Sequence, residues 1–154
     1  MKRENKQRIA RRWALVATSG TLALSGLFAS AGTAQAATAW NATGTQADVV
    51  GAWAHGDYWI DTRSYTSYAT VTITDSKADH ASARVYFHWR WTWGGTSGDY
   101  GPLTASGYQT EKTETYHMDR DSLDTWQPFE VKECRVDNGR EVECGDWDVP
   151  KPYN

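Results

Sequence analysis

The chain has 154 residues, of which 13% are aromatic, including nine Trp, and its formal net charge is −3 at pH 7. This aromatic content excludes a disordered chain, because enough apolar surface is available to fold, and the length favours one domain over two. Residues 37–154 carry 10 basic and 18 acidic side chains, a net charge of −8 that argues against nucleic acid as a partner.

Residues 1–36 are predicted to be a cleavable signal peptide. Six basic residues precede position 13 against the single acid Glu4, and an apolar stretch interrupted by Thr, Ser and Gly follows. The stretch is too short and too interrupted for a span of about 20 apolar residues. Ala34 and Ala36 form a small-x-small cleavage site, so the mature chain is expected to begin at Ala37.

Export predicts a secreted, extracellular protein without membrane attachment after cleavage of the leader. The pair Arg11-Arg12 also fits the twin-arginine route, but Ala10 and Ala14 stand where that motif usually has Ser or Thr and Phe. We favour the general secretory route, which suits a protein that forms its disulfide outside the cell.

The first part of the mature chain is predicted to be a flexible N-terminal segment, 37–46, followed by a folded domain over 47–149. Strands with weaker signals are expected at 48–53 and 57–61. Gly56 is interpreted as the turn between them.

The strongest strand prediction is 83–93. Its apolar positions are Ala83, Val85, Phe87, Trp89, Trp91 and Trp93, and polar residues occupy most of the positions between them. A second strand at 69–74 has the same two-residue period, with Thr on its polar face. Because the connection 75–80 is polar, the two strands are predicted to form an antiparallel hairpin.

The rest of the chain gives weaker signals. The Gly-rich segment 94–107 is predicted to be an irregular loop, and 150–154 a loose C-terminal tail. Further strands are expected at 110–117, 129–136 and 141–147. Six to seven short strands separated by turn residues predict an all-β fold, a single small antiparallel β-sandwich or barrel.

The aromatic stripe of 83–93 has two interpretations. Three tryptophans can share one buried face if the opposing sheet presents small residues, and Ala69 and Val71 are of that kind. The alternative is a ligand platform. We favour a packed core, because aromatic residues at strand period usually form one.

Cys134 and Cys144 are the only cysteines, so an exported chain is expected to join them in a disulfide. The hairpin register that places the cysteines opposite each other also places Val136 opposite Val142. It centres the turn on Gly139, whereas a two-residue Asn-Gly turn would put each cysteine opposite a glutamate. We therefore expect a bulge or an odd loop at the hairpin tip.

No catalytic or metal motif stands out, and no cofactor is expected. The four histidines lack metal-site spacing, and Ser97 does not lie in a G-x-S-x-G motif. Asp119, Asp121 and Asp124 offer oxygens to calcium, but without the Gly and final Glu of an EF-hand loop. We favour a helix-capping or solvated acidic turn there.

The polar face of 83–93 is the predicted ligand site, formed by Arg84, Tyr86, His88 and Arg90. The two arginines favour an anionic glycan or protein on a chain that is otherwise negative. Because sugar rings stack on aromatic faces, at least two exposed, coplanar aromatic residues are expected, with Trp59 as the second candidate after Tyr86. Further candidates near the adjoining loops are Trp53, Tyr58, Tyr65 and Tyr68.

The segment Thr74-Asp75-Ser76-Lys77-Ala78-Asp79, with a late cysteine pair, resembles a loose group of small secreted β-proteins of actinomycete-type Gram-positive bacteria. In that group a Thr-Asp-x-Lys-Ala-Asp-Gly turn joins two strands, whereas this chain has His80 in place of the Gly. The resemblance covers about half of the mature chain. It implies an exported β-fold and carries no established activity.

These observations predict a secreted, non-catalytic binding or interaction module for a glycan, a cell wall or surface, or another protein. The first alternative is a small secreted inhibitor or toxin-like protein, and the second, ranked lowest, is a small extracellular hydrolase. Sedimentation with insoluble polysaccharide or cell wall would support the module, and inhibition of growth or of a protease would support the first alternative. A hydrolase would need a cleft with convergent carboxylates, which only the fold can supply.

Overall fold

The computed structural model describes residues 36–91, 94–119 and 128–152. Within them the chain forms nine β-strands and no helix. The strands are β1 Thr38–Asn41, β2 Ala52–Asp61, β3 Thr66–Asp75, β4 Ser82–Trp89, β5 Tyr100–Ala105, β6 Glu111–Asp119, β7 Phe129–Asp137, β8 Arg140–Cys144 and β9 Lys151–Pro152. The all-β prediction is confirmed, and β6, β7 and β8 lie near the three strands predicted last.

Two antiparallel sheets make up the fold. One sheet has the order β6-β3-β2-β1-β9 and the other β5-β4-β7-β8. Alternation along each strand turns its apolar residues toward the opposite sheet, as Val71 and Ile73 of β3 and Phe87 of β4 show by their complete or nearly complete burial. The described chain is therefore an antiparallel sandwich, one of the two architectures, sandwich or barrel, that the sequence predicted.

The aromatic stripe of β4 lies in the core. Phe87 and Trp89 are almost fully buried and meet edge to face, with ring centroids 5.1 Å apart. Phe129 of β7 packs against both rings. Trp91 is half-buried beside this cluster, and Trp93 lies outside the described residues. The core interpretation is confirmed for Phe87 and Trp89.

The predicted hairpin between β3 and β4 is wrong. β3 pairs with β2 and β6, whereas β4 pairs with β5 and β7, so the segment between them crosses from one sheet to the other. Alternation shows which side chains face inward but does not show which strand lies alongside. Arg135 of β7, only 3% exposed, holds the crossover through Asp75, at 3.1 Å, and through Asp79.

The crossover also explains why the resembling proteins have glycine at the position that His80 occupies in this chain. His80 has φ 66°, in the left-handed region that favours glycine. The next residue, Ala81, accepts a hydrogen bond from Arg135 through its carbonyl, at 3.3 Å. The chain therefore turns tightly here between the two sheets, with a histidine in a backbone conformation that glycine adopts more easily.

The predicted turn at Gly56 is also wrong, because β2 runs through it as one ten-residue strand. A Cβ atom at this position would overlap the carbonyl oxygen of Thr70 on β3. Gly56 is thus required by the close approach of two strands and not by a change of direction. The segment before Ala52, predicted to start a strand at 48, is a series of turns.

Two other boundaries differ from prediction. β4 ends at Trp89, after which the N–H of Trp91 donates to the carbonyl of Gly95 at 3.0 Å and the chain turns back. The segment predicted as a loop contains β5, whose Leu103 and Ala105 are buried against β4. Its six residues include Gly and Pro, which hid the two-residue period from the sequence analysis.

The termini are more ordered than expected. Trp40, within the predicted flexible segment, is 3% exposed and packs edge to face on Phe129 at 5.3 Å. It also lies opposite Pro152 in the pairing of β1 with β9, within the predicted tail. Burial of the Trp40 ring fixes β1, and β1 in turn gives β9 a partner.

The β7–β8 hairpin confirms the Cys134–Cys144 disulfide, with the two Cα atoms 4.1 Å apart. Closing a loop of this length stabilises the fold by roughly 2 to 3 kcal/mol. The expected bulge is present, since the register shifts by one residue next to Val136. The predicted pairing with Val142 is wrong, because Val136 lies opposite Glu141 and Val142 is 62% exposed.

Candidate functional site

Four of the predicted ligand residues do lie together, on the outer side of the four-stranded sheet. We call this surface the β4 face. It comprises Arg84, Tyr86, His88, Arg90, Glu130, Lys132, Glu141 and Trp147. Neighbouring β7 places Lys132 opposite Tyr86 and Glu130 opposite His88, so the predicted site is brought together with charged residues of the next strand.

Both arginines of the β4 face are paired within the protein. Arg84 Nη1 lies 3.1 Å from Glu141 Oε1, and Arg90 Nη1 lies 3.0 Å from Glu130 Oε1. Tyr86 also donates its hydroxyl proton to Glu141. The hydrogen bonds from Tyr86 and Arg84 lower the pKa of Glu141. The positive charge expected to attract an anionic ligand is thus compensated by carboxylates of the same sheet.

His88 is tied into the β4 face and is only 5% exposed. Its Nδ1 lies 3.1 Å from Asp99 and its Nε2 lies 2.9 Å from Glu130, so each ring nitrogen has a carboxylate partner. Trp147 stacks on the ring at 3.9 Å. The ammonium of Lys132 lies 5.3 Å from the Trp147 ring. These contacts are structural, and they leave the histidine enclosed.

Trp59, the remaining predicted ligand residue, lies on the other sheet. It projects from the outer side of the five-stranded sheet, on a surface that we call the β2–β3–β6 face. This face comprises the outward positions of three strands: Trp53, His55, Asp57, Trp59, Asp61, Thr66, Tyr68, Thr70, Thr72, Thr74, Glu111, Thr113, Thr115, His117 and Asp119. Trp59 and Tyr86 therefore do not form one platform.

Two aromatic clusters lie on the β2–β3–β6 face. In the first, the rings of Trp59 and Tyr68 are parallel within 4°, with centroids 5.2 Å apart, and His117 follows at 6.0 Å from Tyr68. These residues are opposite one another in register on three neighbouring strands. In the second cluster, Trp53 and His55 stack at 3.9 Å.

A groove of about 400 Å³ lies on this face, with Trp53 and His55 of the second cluster in its wall. The protein forms it with side chains that are short or absent: Gly56, Thr70, Thr72 and Thr113 line it together with Ala39, Trp40, Trp53, His55 and Asp57. About 13 Å separates His55 from Trp59 along β2. The groove thus has one aromatic cluster in its wall and hydroxyl groups along it, and Trp59 of the other cluster occupies the next outward position of β2 after Asp57.

Hydrogen bonds within the groove fix its shape. Thr70 Oγ1 accepts from the backbone N–H of Asp57 at 2.8 Å, and Thr72 and Thr113 share a hydrogen bond of 2.7 Å. His55 Nε2 lies 3.3 Å from Thr74 Oγ1. Burial lowers the pKa of His55, although the carboxylates of Glu111 and Asp57 oppose this shift. The histidine is therefore a neutral wall of the groove at pH 7.

The other aromatic candidates lie in different parts of the fold. Trp53 and Tyr68 lie on the β2–β3–β6 face, as described above. Tyr58 is 6% exposed and belongs to the core, so its prediction as a surface residue is wrong. Tyr65 lies in the turn between β2 and β3 and is 45% exposed.

The calcium alternative concerns residues that are mostly outside the described ranges. Asp121 and Asp124 lie there, while Asp119 ends β6 and accepts a hydrogen bond from Thr66 at 3.2 Å. Among the described residues, one group has the spacing of a metal site: Cys134, Glu141 and Cys144. Its two sulfurs are joined in the disulfide, so they are not available as metal ligands.

Sequence reasoning missed the groove itself. Asp57, Thr72 and Thr113 were not singled out, because alternating threonines indicate only a strand with a polar face. Thr72 and Thr113 are 41 residues apart in sequence, and their contact depends on the pairing of β3 with β6. The available signal was the repeated Thr-x-Thr pattern at 70–74 and 113–115, which places hydroxyls on one side of each strand.

The chain matches no protein-family model, no curated protein and no solved structure. The resemblance noted for Thr74 to Asp79 therefore stays a prediction. So does cleavage before Ala37, since Ala34 and the leader precede the first described residue. In the described part of the chain, no helix is long and apolar enough to cross a membrane.

Proposed function

We propose that the mature protein is a secreted, non-catalytic carbohydrate-binding module that binds a stretch of glycan chain on its β2–β3–β6 face. One observation carries this proposal: a groove lined with hydroxyl groups has one aromatic cluster in its wall and a second aromatic cluster on the same sheet face. Binding sites of this kind combine apolar walls with a few placed polar groups. Pyranose rings match them, because they have apolar faces that stack on aromatic rings and hydroxyls at their edges.

The dimensions favour a chain over a single sugar. The nearest members of the two clusters, His55 and Trp59, are about 13 Å apart along β2, and Trp53 and Trp59 are about 20 Å apart, so either spacing exceeds one pyranose ring. A glycan lying along the strand would stack one ring on Trp59 and another on Trp53, with the sugars between them over the groove. The hydroxyl of Thr113 and the carboxylate of Asp57 line this path and would contact sugar hydroxyls.

The β4 face supports this assignment less well. Its arginines are paired with carboxylates, and His88 is only 5% exposed. An anionic ligand there would have to displace ion pairs that the protein already makes, whereas Asp57 in the groove of the other sheet has no ion pair with Lys or Arg in the described part of the chain. Secretion is supported by the predicted leader and by the Cys134–Cys144 disulfide, because disulfides persist in oxidising compartments.

Alanine substitution of the stacking residues tests this proposal. Trp59→Ala and Trp53→Ala are each expected to weaken binding to insoluble polysaccharide or cell wall by about tenfold or more, since such aromatic anchors dominate binding energies. Tyr108→Ala is the matched control, because Tyr108 is 56% exposed in the loop between β5 and β6. Near-ultraviolet circular dichroism checks that each variant is folded, and sedimentation with the polysaccharide measures binding.

Three outcomes would contradict the proposal. Binding that survives both tryptophan substitutions would show that another surface holds the glycan. A native protein that binds no polysaccharide or cell wall, but blocks growth or a protease, would support the inhibitor or toxin-like alternative instead. Release of sugars from the bound polysaccharide would show that the protein is a hydrolase.

A further inference from the structure

The β2–β3–β6 face carries acidic side chains in addition to its aromatic residues. Four of its fifteen outward positions are carboxylates, and none is Lys or Arg. The acids are Asp57, Asp61, Glu111 and Asp119. Asp57 lines the groove, and Glu111 lies on β6 opposite Thr74. The negative charge is therefore placed where the proposed glycan would lie.

The basic residues near this face are engaged elsewhere or lie at its margin. Lys151 donates to the carbonyl of Gly44 at 2.6 Å, and Arg63 lies in the turn after Asp61. Lys112 occupies an alternate position on β6, opposite the inward-facing Ile73. In the described part of the chain, neither Asp57 nor Glu111 has an ion pair with Lys or Arg. Burial lowers the pKa of His55, so this ring offsets these charges less than an exposed histidine would.

Building on the proposed carbohydrate-binding function, we infer that the glycan held on this face carries protonated amines, as a chain of glucosamine residues with free amino groups does. The groove pairs carboxylates with aromatic rings, and an ammonium group is attracted both to a carboxylate and to the face of a ring. A sugar chain that spans the two clusters passes Asp57, so at least one amine of a regular polymer would lie near that carboxylate. This preference is the reverse of the anionic ligand expected from the arginines of β4.

Charge on the rest of the molecule acts in the same direction. The mature chain has a net charge of −8, which repels polyanionic glycans and attracts polycations over long range. An acetylated amine carries no charge and loses this attraction while keeping the same ring for stacking. Acetylation of the sugar therefore separates the electrostatic contribution from the stacking contribution.

The test compares three oligosaccharides of equal length: glucosamine with free amines, N-acetylglucosamine, and glucose. Isothermal titration calorimetry with the native protein at about pH 5.5, where the sugar amine is protonated, measures each affinity. We expect the free-amine oligomer to bind at least fivefold more tightly than the other two, an advantage of roughly the size of one solvent-exposed charge contact. The advantage should shrink as salt rises from about 0.02 to 0.2 M, because salt screens exposed charges.

Charge-neutralising variants locate the effect. Asp57→Asn and Glu111→Gln are expected to remove most of the preference for the free-amine oligomer. Asp146→Asn and Glu143→Gln remove the same charges from exposed residues outside this face and should preserve the preference. The comparison of ligands on the native protein decides the question even if a variant fails to fold.

The outcomes of the two proposals are distinguishable. Equal, salt-independent binding of all three oligomers that is lost in Trp59→Ala would overturn the amine preference and leave the carbohydrate-binding function in place. Tighter binding of an acidic glycan would overturn it too. Failure to bind any of the three oligomers or any polysaccharide would overturn both proposals.

Discussion

The outer faces of the two sheets contain similar residue types in different arrangements. On the β4 face, Tyr86 and Trp147 contact Lys132, and the arginines contact glutamates. On the β2–β3–β6 face, the aromatic residues contact one another and the carboxylates have no Lys or Arg at neighbouring outward positions. The neighbouring strand thus decides whether a polar, aromatic strand face is already satisfied or is left to bind a ligand.

The core beneath both faces gives the largest effect that we predict. Glu133 is completely buried, and its carboxylate accepts hydrogen bonds from the backbone N–H groups of Val49, at 2.8 Å, and Ala54. Burial raises the pKa of Glu133 from 4.5 to about 8. Its contribution to stability is therefore full below about pH 4.5 and is lost as pH rises through 8, by on the order of 4 kcal/mol.

Urea unfolding at several pH values between about 5 and 8.5 measures this loss in the free energy of unfolding. Because Glu133 lies in the shared core, the loss should destabilise both sheets together. Glu133→Gln removes this titrating group, so the free energy of unfolding of the native protein relative to that of the variant should fall as pH rises. The control Glu143→Gln, on exposed β8, should show the same pH dependence as the native protein. Identical pH slopes for the native protein and Glu133→Gln would refute the assignment to Glu133.

Substituting one histidine on each face compares the two faces directly. His88→Ala leaves the carboxylates of Glu130 and Asp99 without this partner and removes the stacking on Trp147, so we expect a loss of about 2 to 3 kcal/mol in stability. His117→Ala, at an exposed position of β6, should change stability by less than about 0.5 kcal/mol. Thermal or urea unfolding at pH 6 measures both. Equal losses would remove the distinction between an enclosed face and an open one.

The smallest expected effect compares two tyrosine hydroxyls. Tyr86→Phe loses the hydrogen bond to Glu141 and should cost about 0.5 to 1 kcal/mol. The hydroxyl of Tyr68 makes no hydrogen bond within the described residues, so Tyr68→Phe should be neutral in stability. Chemical denaturation resolves this difference. A neutral Tyr86→Phe would mean that the contact with Glu141 does not stabilise the β4 face.

Sequence periodicity predicted which segments form strands better than it predicted which strands pair with each other. The inward residues of β4 follow directly from alternation, since a two-residue period assigns side chains to faces. Pairing is different, because β3 and β6 meet across 41 residues at Thr72 and Thr113, and no local pattern records that contact. The Asp75–Arg135 pair that supports the crossover is also long-range, and for this reason the predicted hairpin was wrong.

The predicted ligand site shows the same limit. Arg84, Tyr86, His88 and Arg90 were correctly placed on one polar face, but their partners come from β7 and β8. The sequence could not show that Glu141 lies beside Arg84 and Tyr86, 57 and 55 residues away along the chain. The disulfide was predictable because two cysteines allow a single pairing, and the bulge beside it followed from counting residues in the hairpin.

The pairing of β1 with β9 has a consequence for modular architecture. These strands form the rim of the five-stranded sheet opposite β6, so the chain enters at Thr38 and leaves at Pro152 from adjacent positions. Ala39 and Trp40 of β1 also line the groove, so the entry and exit of the domain lie beside the proposed sugar-binding surface. A second domain joined at either end would therefore be held close to a glycan bound in the groove.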